Sequence, residues 1–254
     1  MTADGRGWWR SYFDDDFFDL HDALFQEARS RSETGAMREL LALPVGARVL
    51  DAPCGWGRHT ELFAEAGCIA FGADLSLPLL RRAPRRAAPP GAARYAAADL
   101  RALPFADHSF DALVNVFTSL GLFLDDAEDL AALREARRVL RPNGVFLLES
   151  MHRDDVIASY AERDGWELPD GTRVQVRRRF NPVTGISHER LRWRRGTQQG
   201  RKAHALRLRT ATEIAALLET AGFAEIAWFG DWRGAPLRHD SAHLIAVARP
   251  SRQV

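Results

Sequence analysis

At 254 residues the chain is too long for a disulfide miniprotein and long enough for one large domain with an appended subdomain and a sizeable buried core. With 46% hydrophobic and 27% charged residues it has a globular composition, which excludes wholesale disorder, and a net charge of +1 names no partner. No apolar run approaches the roughly 20 residues that span a bilayer, and Met1 to Asp22 carries Asp and Arg where a signal peptide is apolar, so a cytoplasmic protein is expected.

The aromatic-rich opening sets Trp9, Phe13, Phe17, Leu20 and Leu24 at spacings of three and four, one face of an amphipathic helix. A second helix is expected from about Thr34 to Leu43, stopped by Pro44. β-like and helical runs then alternate: a strand from Val49 to Ala52, a helix near Arg58 to Glu65, a strand from Cys68 to Ala73 and a helix near Leu77 to Arg86. Strands follow at Ala93 to Ala97, Asp111 to Phe117 and Val145 to Glu149, with a helix from about Ala127 to Leu140 before the last. Strands separated by helices of this length imply right-handed crossovers and a parallel sheet covered on both faces, an α/β fold. After Glu149 the period changes. Arg173 to Phe180, Ser187 to Arg195 and Ala203 to Leu208 read as strands joined by turns at Asn181-Pro182 and Gly196 to Gly200, a small antiparallel insertion. Thr210-Ala211-Thr212-Glu213 has the form of a capping box for a helix from Glu213 to Ala221, Gly222 suits its C-cap, and Phe223 to Phe229 and His243 to Ala248 supply closing strands. The two cysteines, Cys54 and Cys68, provide no disulfide framework or zinc set and read as buried thiols of a reducing compartment. Lys202 is the one lysine of the chain and carries no mechanism here.

The informative stretch is Val49-Leu50-Asp51-Ala52-Pro53-Cys54-Gly55-Trp56-Gly57-Arg58-His59-Thr60, a strand running into a glycine-containing turn and a helix. Such a turn lets a ligand approach the backbone at the C-terminal edge of a parallel sheet, where open α/β folds bind ligands. Two glycines alone mark only a tight turn, but acids stand at three successive strand ends. Asp74 follows the second strand, at the distance where an acid grips ribose hydroxyls, and Asp99 follows the third, where a carboxylate accepts from an exocyclic amine. Together with Asp51 they describe a nucleoside pocket lined with acceptors and hostile to pyrophosphate. The dinucleotide fingerprint also wants a small residue where Thr60 stands, so a cationic nucleoside fits better than a nicotinamide dinucleotide.

Asp51-Ala52-Pro53-Cys54-Gly55-Trp56-Gly57 resembles the first motif of class I S-adenosylmethionine-dependent methyltransferases. Asp74-Leu75 resembles the family's ribose-binding acid and its neighbour, and Asp99-Leu100 its adenine-contacting pair. Ser109 to Asn115 resembles its fourth strand, Leu140-Arg141-Pro142-Asn143-Gly144-Val145 the turn before its fifth, and Leu206 to Phe223 a recurrent C-terminal pattern. The resemblance runs from Val45 to Arg249. Pro53 and Asn143 stand where the family often has glycine, and Pro53 removes one backbone donor from the loop. The resemblance implies a Rossmann-like, seven-stranded, mostly parallel sheet with its closing strand antiparallel, and S-adenosylmethionine as cofactor. It implies that the backbone near Asp51 and Gly55 and the carbonyl near Asn115 hold the methionine part. It further implies methyl transfer to an oxygen, nitrogen or carbon of an acceptor by in-line displacement. The rival readings are a nicotinamide-dependent oxidoreductase and a methyltransferase-fold protein that binds or senses without turnover.

Around this core the sequence divides into a helical lid (1–44), a cofactor-binding core (45–172), the antiparallel insertion (173–208) and the C-terminal part of the core (209–254). The aromatic segment is either a lid closing Trp9, Tyr12 or Phe13 over the cofactor or a helix packed on the sheet edge. His152, just past the fifth strand, and Tyr12 are the side chains to test for proton transfer, with a loop histidine free of chemistry as the alternative. His239 and His243 lack a third metal ligand. Arg173 to Arg207 holds ten arginines and Lys202 against the single acid Glu189. This is either a charged face paired with Asp14-Asp15-Asp16 and Asp19, or a seat for an acidic substrate or nucleic acid. Few aromatics interleave there, chiefly Phe180 and Trp193, so a small-molecule acceptor is expected, with neither nucleic acid nor membrane as partner.

Overall fold

The computed structural model describes residues 7–21, 25–83 and 93–251. It opens on two short helices, α1 (Trp9–Tyr12) and α2 (Asp15–His21). The aromatic spacing predicts one continuous helix; Asp14 interrupts it, its carboxylate accepting the Phe17 N–H at 2.9 Å and starting a fresh helix. Trp9, Tyr12, Phe17 and Leu20 form the buried face, and Leu24 lies outside the described residues. Helix α3 (Glu27–Leu40) begins well before Thr34 because the early part of its covered face is polar: Ser30, Glu33 and Thr34 are buried along with Met37, and no apolar period announces them.

The alternation then unfolds as β1 (Arg48–Asp51), α4 (Arg58–Glu65), β2 (Ile69–Asp74), α5 (Leu77–Arg82), β3 (Arg94–Ala97), β4 (Phe110–Asn115), α6 (Asp126–Val139) and β5 (Leu140–Ser150). Helix α5 ends at Arg82, short of the expected Arg86, with Ala83 as its C-cap in an extended conformation, and Arg86 itself lies outside the described residues. Strand β5 starts at Leu140 rather than Val145, since Leu140 already pairs with Phe110 of β4. Helix α7 (Arg153–Ala158) and strand β6 (Arg163–Glu167) have no counterpart in the sequence reading: α7 buries no residue and β6 is exposed except at Trp166, so neither leaves a hydrophobic period. The expected hairpins follow as β7 (Arg173–Asn181), β8 (Ile186–Arg195) and β9 (Gln198–Arg207). Strand β9 begins earlier than expected because Arg195 pairs with Gln198 across a two-residue turn in which Gly196 adopts φ +57°. Helix α8 (Ala211–Thr220) opens on the expected capping box, with the Thr210 hydroxyl accepting from the Glu213 N–H and the Glu213 carboxylate from the Thr210 N–H. Strands β10 (Phe223–Phe229) and β11 (Leu244–Pro250) close the chain.

One seven-stranded sheet has the order β10-β11-β5-β4-β1-β2-β3, parallel throughout except for β11, which runs antiparallel to both neighbours. Its faces are both buried. Leu50, Leu113, Phe146 and Leu148 pack under α6 and α8 with Ile214 and Phe223, while the alternate residues Val49, Val114 and Leu147 meet Phe63 and Met37 on the side of α3 and α4. A second sheet, β6-β7-β8-β9, buries Val174, Val176 and Leu191 against Leu20 of α2. The parallel register sets Asp51 beside Gly72 and Val114, and Asp74 beside Ala97, so the strand ends that carry the acids share one edge. No helix among the described residues is long and apolar enough to cross a membrane.

Candidate functional site

The turn after β1 is fixed by backbone pairing on both sides, with the Ala52 N–H donating to Val114 O and the Cys54 N–H to Ala73 O, both at 3.0 Å. Gly57 follows with φ +81°, and a Cβ there would sit 2.2 Å from the Tyr95 hydroxyl, so only glycine fits this entry into α4. Asp51 is 1% exposed. One of its oxygens accepts the Thr60 hydroxyl at 2.7 Å, and the other, Oδ1, is buried with no partner among the described residues. Burial pushes its pKa up to about 7 against the opposing pull of Thr60 and Arg58. Asp74 spends its carboxylate on the loop: Oδ2 accepts the Gly55 N–H and Oδ1 the Ser76 N–H, each at 2.7 Å. Burial raises its pKa, and these two amides oppose the rise. Asp99 is held by the Arg101 guanidinium, Nη2 at 2.5 Å and Nε at 2.9 Å, which lowers its pKa.

These groups surround one cavity of about 1030 Å³, part of it open to solvent. Asp51, Gly55, Asp74, Leu75, Asp99 and Leu100 all line it, as the strand-end reading expects. Ala52, Gly57 and Asn115 do not. Asn115 stands behind the wall, its Nδ2 donating to Ala52 O at 2.9 Å and its Oδ1 accepting the Ser119 hydroxyl, so it braces the turn instead of facing the cavity.

The rest of the wall is aromatic. Trp9, Phe13 and Phe17 come from the two opening helices and their junction, Phe25 from just before α3, and Trp56, Phe117 and Phe123 from the loops after β1 and β4. Four residues tie the opening segment down over the cavity: the Ser76 hydroxyl donates to Phe13 O, Lys202 Nζ of β9 donates to Tyr12 O at 2.9 Å and to Asp14 at 2.5 Å, Arg82 of α5 pairs with Asp15 at 2.7 Å, and Trp166 Nε1 of β6 donates to Leu20 O at 3.3 Å. Of the basic sheet, only Lys202 forms an ion pair with that acidic segment among the described residues. Arg178 pairs with Asp164 and Glu189, whereas Arg177, Arg179, Arg190 and Arg192 are exposed.

Neither expected proton-transfer side chain lines this cavity. His152 caps the start of α7, buried, with Nδ1 3.0 Å from the Ser241 carbonyl and Nε2 3.8 Å from Asp154. Tyr12 points into the packing between α1 and the second sheet, against Phe13, Phe17 and His204, where burial and then the charges of Glu189 and Asp14 push its pKa upward. His243 pairs with Glu149 instead of His239, and no group of three metal ligands occurs among the described residues.

The sequence reading missed Arg58, His59, Phe25, Phe117 and Glu149. Arg58 and His59 line the cavity from the first turn of α4, a position their place directly after Gly57 could have announced. Arg58 Nη1 donates to Glu33 at 2.7 Å, and His59 Nδ1 lies 2.8 Å from the Thr34 hydroxyl, burial holding that imidazole well below its usual range. Nothing in sequence joins Phe117 to Glu149, whose carboxylate accepts the Phe117 N–H at 2.7 Å across 32 positions.

Residues 49–144 match a family model described as a methyltransferase domain. At 33% identity over 182 residues, 68% of the chain aligns with 67% of a malonyl-[acyl-carrier protein] O-methyltransferase from Salmonella typhimurium. The chain spans about half the length of other curated relatives it matches. The CcbJ methyltransferase from Streptomyces caelestis superposes with a TM-score of 0.79 at 19% identity, over 95% of this chain and 99% of that one, a likeness of fold. CalS10 from Micromonospora echinaspora, solved with S-adenosylmethionine bound and named as an amino pentose methyltransferase involved in calicheamicin biosynthesis, superposes at 0.69 with 26% identity, over 91% and 97%.

Proposed function

The chain belongs to the class I S-adenosylmethionine-dependent methyltransferases, and we propose that it moves a methyl group from S-adenosylmethionine to an oxygen, nitrogen or carbon of a small molecule, a specialised metabolite. The observation that carries this reading is the convergence of Asp51, Asp74 and Asp99, from the ends of three parallel strands, on a single aromatic-walled cavity. A pocket of this kind offers acceptors to hydroxyls, amines and a cation, and it repels the phosphates of a nicotinamide dinucleotide. The buried, unpartnered Oδ1 of Asp51 is a specific point of fit for a cationic, donor-rich ligand.

In this reading Asp74 accepts from the ribose hydroxyls, Leu75 and Leu100 flank the nucleoside, and Asp99 accepts from the adenine amine. Asp51, with the backbone of Gly55, holds the methionine end, while Ala52, Gly57 and Asn115 fix the turn that presents them. The cofactor, when bound, supplies a methyl group on a sulfonium, an electrophile with its own leaving group. The chain's contribution is to align the acceptor with that carbon and to exclude water, and alignment of this kind is worth on the order of 7 kcal/mol or more. Trp9, Phe13 and Phe17 supply the dry wall from the segment tied down by Ser76, Lys202 and Arg82. Residues 1–44 thus act as a lid and 45–172 and 209–254 as the cofactor core, save that β6 (Arg163–Glu167) joins 173–208 in the substrate-side insertion.

A roofed cavity limits acceptor size, and the named role of CalS10 supports a small acceptor. A nucleic-acid partner is disfavoured because Trp193 packs with Val174 and Leu191 and Phe180 packs on Tyr160, which leaves neither free to stack a base. The free, buried Cys54 and Cys68 fit a reducing, cytoplasmic setting. Calorimetry tests the cofactor: S-adenosylhomocysteine should bind and NAD should not, and the opposite result would move the chain to the oxidoreductases. Formation of S-adenosylhomocysteine with an accepted substrate separates an enzyme from a binding protein.

A further inference from the structure

We propose that Glu149 and His243 form a positioning pair that sets the Phe117–Thr118 turn and, through it, the acceptor wall of the cavity. The proposal rests on the methyltransferase reading, in which the wall beyond the cofactor acids receives the acceptor. Phe117 and Thr118 adopt φ +66° and +56°, two consecutive left-handed residues with side chains, a backbone that persists only where its surroundings impose it. Those surroundings come from the end of β5. Glu149 Oε2 accepts the Phe117 N–H at 2.7 Å, Glu149 O accepts the Thr118 N–H at 3.3 Å, and the Thr118 hydroxyl accepts the Met151 N–H at 2.9 Å. The turn leaves the Phe117 ring 41% exposed on the cavity wall, 5.3 Å from Phe25.

The other carboxylate oxygen, Glu149 Oε1, lies 2.9 Å from His243 Nδ1 at the start of β11. His243 is further faced by Arg29 and Glu33 of α3, by Asp231 after β10 and by the Trp232 ring at 5.8 Å. Glu149 raises the histidine's pKa above its usual value, so the imidazolium is favoured at neutrality and its charge is lost as pH rises through that raised value. Above that value the neutral imidazole still donates its Nδ1–H to Glu149, but the carboxylate loses the positive charge beside it, and its hold on the Phe117 amide changes with that charge.

The test labels the phenylalanines with 4-fluorophenylalanine, assigns the Phe117 resonance by Phe117→Leu, and follows it by fluorine NMR with S-adenosylhomocysteine bound. In the parent protein the resonance should be sharp at neutral pH and shift with one titration above pH 6.5, a measurement that needs no destabilising variant. His243→Gln keeps a donor without the charge and should retain the sharp resonance while abolishing its pH dependence. Glu149→Gln should split or broaden it. Calorimetry should find S-adenosylhomocysteine affinity within twofold of the parent in both variants. A Phe117 resonance indifferent to pH and to both substitutions would overturn the positioning pair. Failure of the parent to bind S-adenosylhomocysteine would instead overturn the cofactor reading beneath it.

Discussion

Asp74→Asn separates the scaffold role of this carboxylate from its proposed grip on ribose. In the unliganded chain both oxygens already serve the loop, one on Gly55 N–H and one on Ser76 N–H. Asparagine keeps one acceptor and turns an NH2 group against the other amide, so a buried donor loses its partner at a cost of about 1–3 kcal/mol. For a domain of this size that lowers Tm by roughly 2–12 °C. The ribose contact is an additional, charge-assisted bond. Its loss should cost about 1.5–3 kcal/mol, a roughly ten- to hundredfold fall in affinity for S-adenosylhomocysteine by calorimetry. Thr210→Ala supplies the control. It removes the capping box of α8, remote from the cavity, and should cost about 1 kcal/mol of stability with unchanged affinity. If Asp74→Asn behaved like Thr210→Ala, losing stability but binding within twofold of the parent, the ribose assignment would be refuted and Asp74 would be a loop brace alone.

Gly57→Ala forces a side chain into φ +81° and against Tyr95, and should lower stability by roughly 1–3 kcal/mol in urea unfolding; a neutral result would mean that the turn into α4 can shift. Lys202→Gln removes the ties to Tyr12 O and Asp14, and should speed chymotryptic cleavage in the first 25 residues and weaken S-adenosylhomocysteine binding severalfold, whereas an unchanged cleavage rate would show that Ser76, Arg82 and Trp166 hold the segment without Lys202. Retention on an RNA or DNA column should be absent at physiological salt; steeply salt-dependent retention abolished by Arg192→Glu and Arg194→Glu would reverse the small-molecule assignment.

How much of this was readable from the chain depends on where each signal lives. Runs such as Val49-Leu50 and Ala112 to Val114 are buried on both faces, and their continuous apolar character survives in sequence, so the parallel sheet and the acids at its edge were legible. The start of α3 was not, because Ser30, Glu33 and Thr34 are buried to meet Arg58 and His59, a polar contact that leaves no hydrophobic period. Strand β6 was invisible for the opposite reason: it is an exposed edge whose register is set by β7. Within the site, motif positions announced Asp51, Asp74 and Asp99, but Phe117, Phe25 and Glu149 owe their roles to side-chain directions and to contacts between distant segments. The direction of His152 was not legible, because a strand end fixes where the backbone leaves the sheet and does not fix which way the next side chain turns; here it turns to Ser241.

The most exacting consequence concerns Asp51, a buried carboxylate with one oxygen that has no partner among the described residues. Its folded pKa of about 7 lies above the unfolded value of about 3.9, so the folded chain holds the extra proton between these values. Stability therefore falls as pH rises across that window. Asp51→Asn should remove that slope and make the unliganded protein more resistant to unfolding at pH 7 than the parent, with little difference at pH 4. A cationic ligand seated against the same oxygen relieves the burial penalty and draws the pKa back down, so at pH 7 binding of S-adenosylmethionine should expel a fraction of a proton. Calorimetry in two buffers of different ionisation enthalpy measures it, and the Asp51→Asn variant subtracts any proton moved by the ligand itself. The release should vanish at pH 9, where Asp51 is already ionised. Equal proton counts in parent and variant at pH 7 would mean that the cation sits elsewhere, and that Asp51 is buried to anchor Thr60 and not to receive the cofactor.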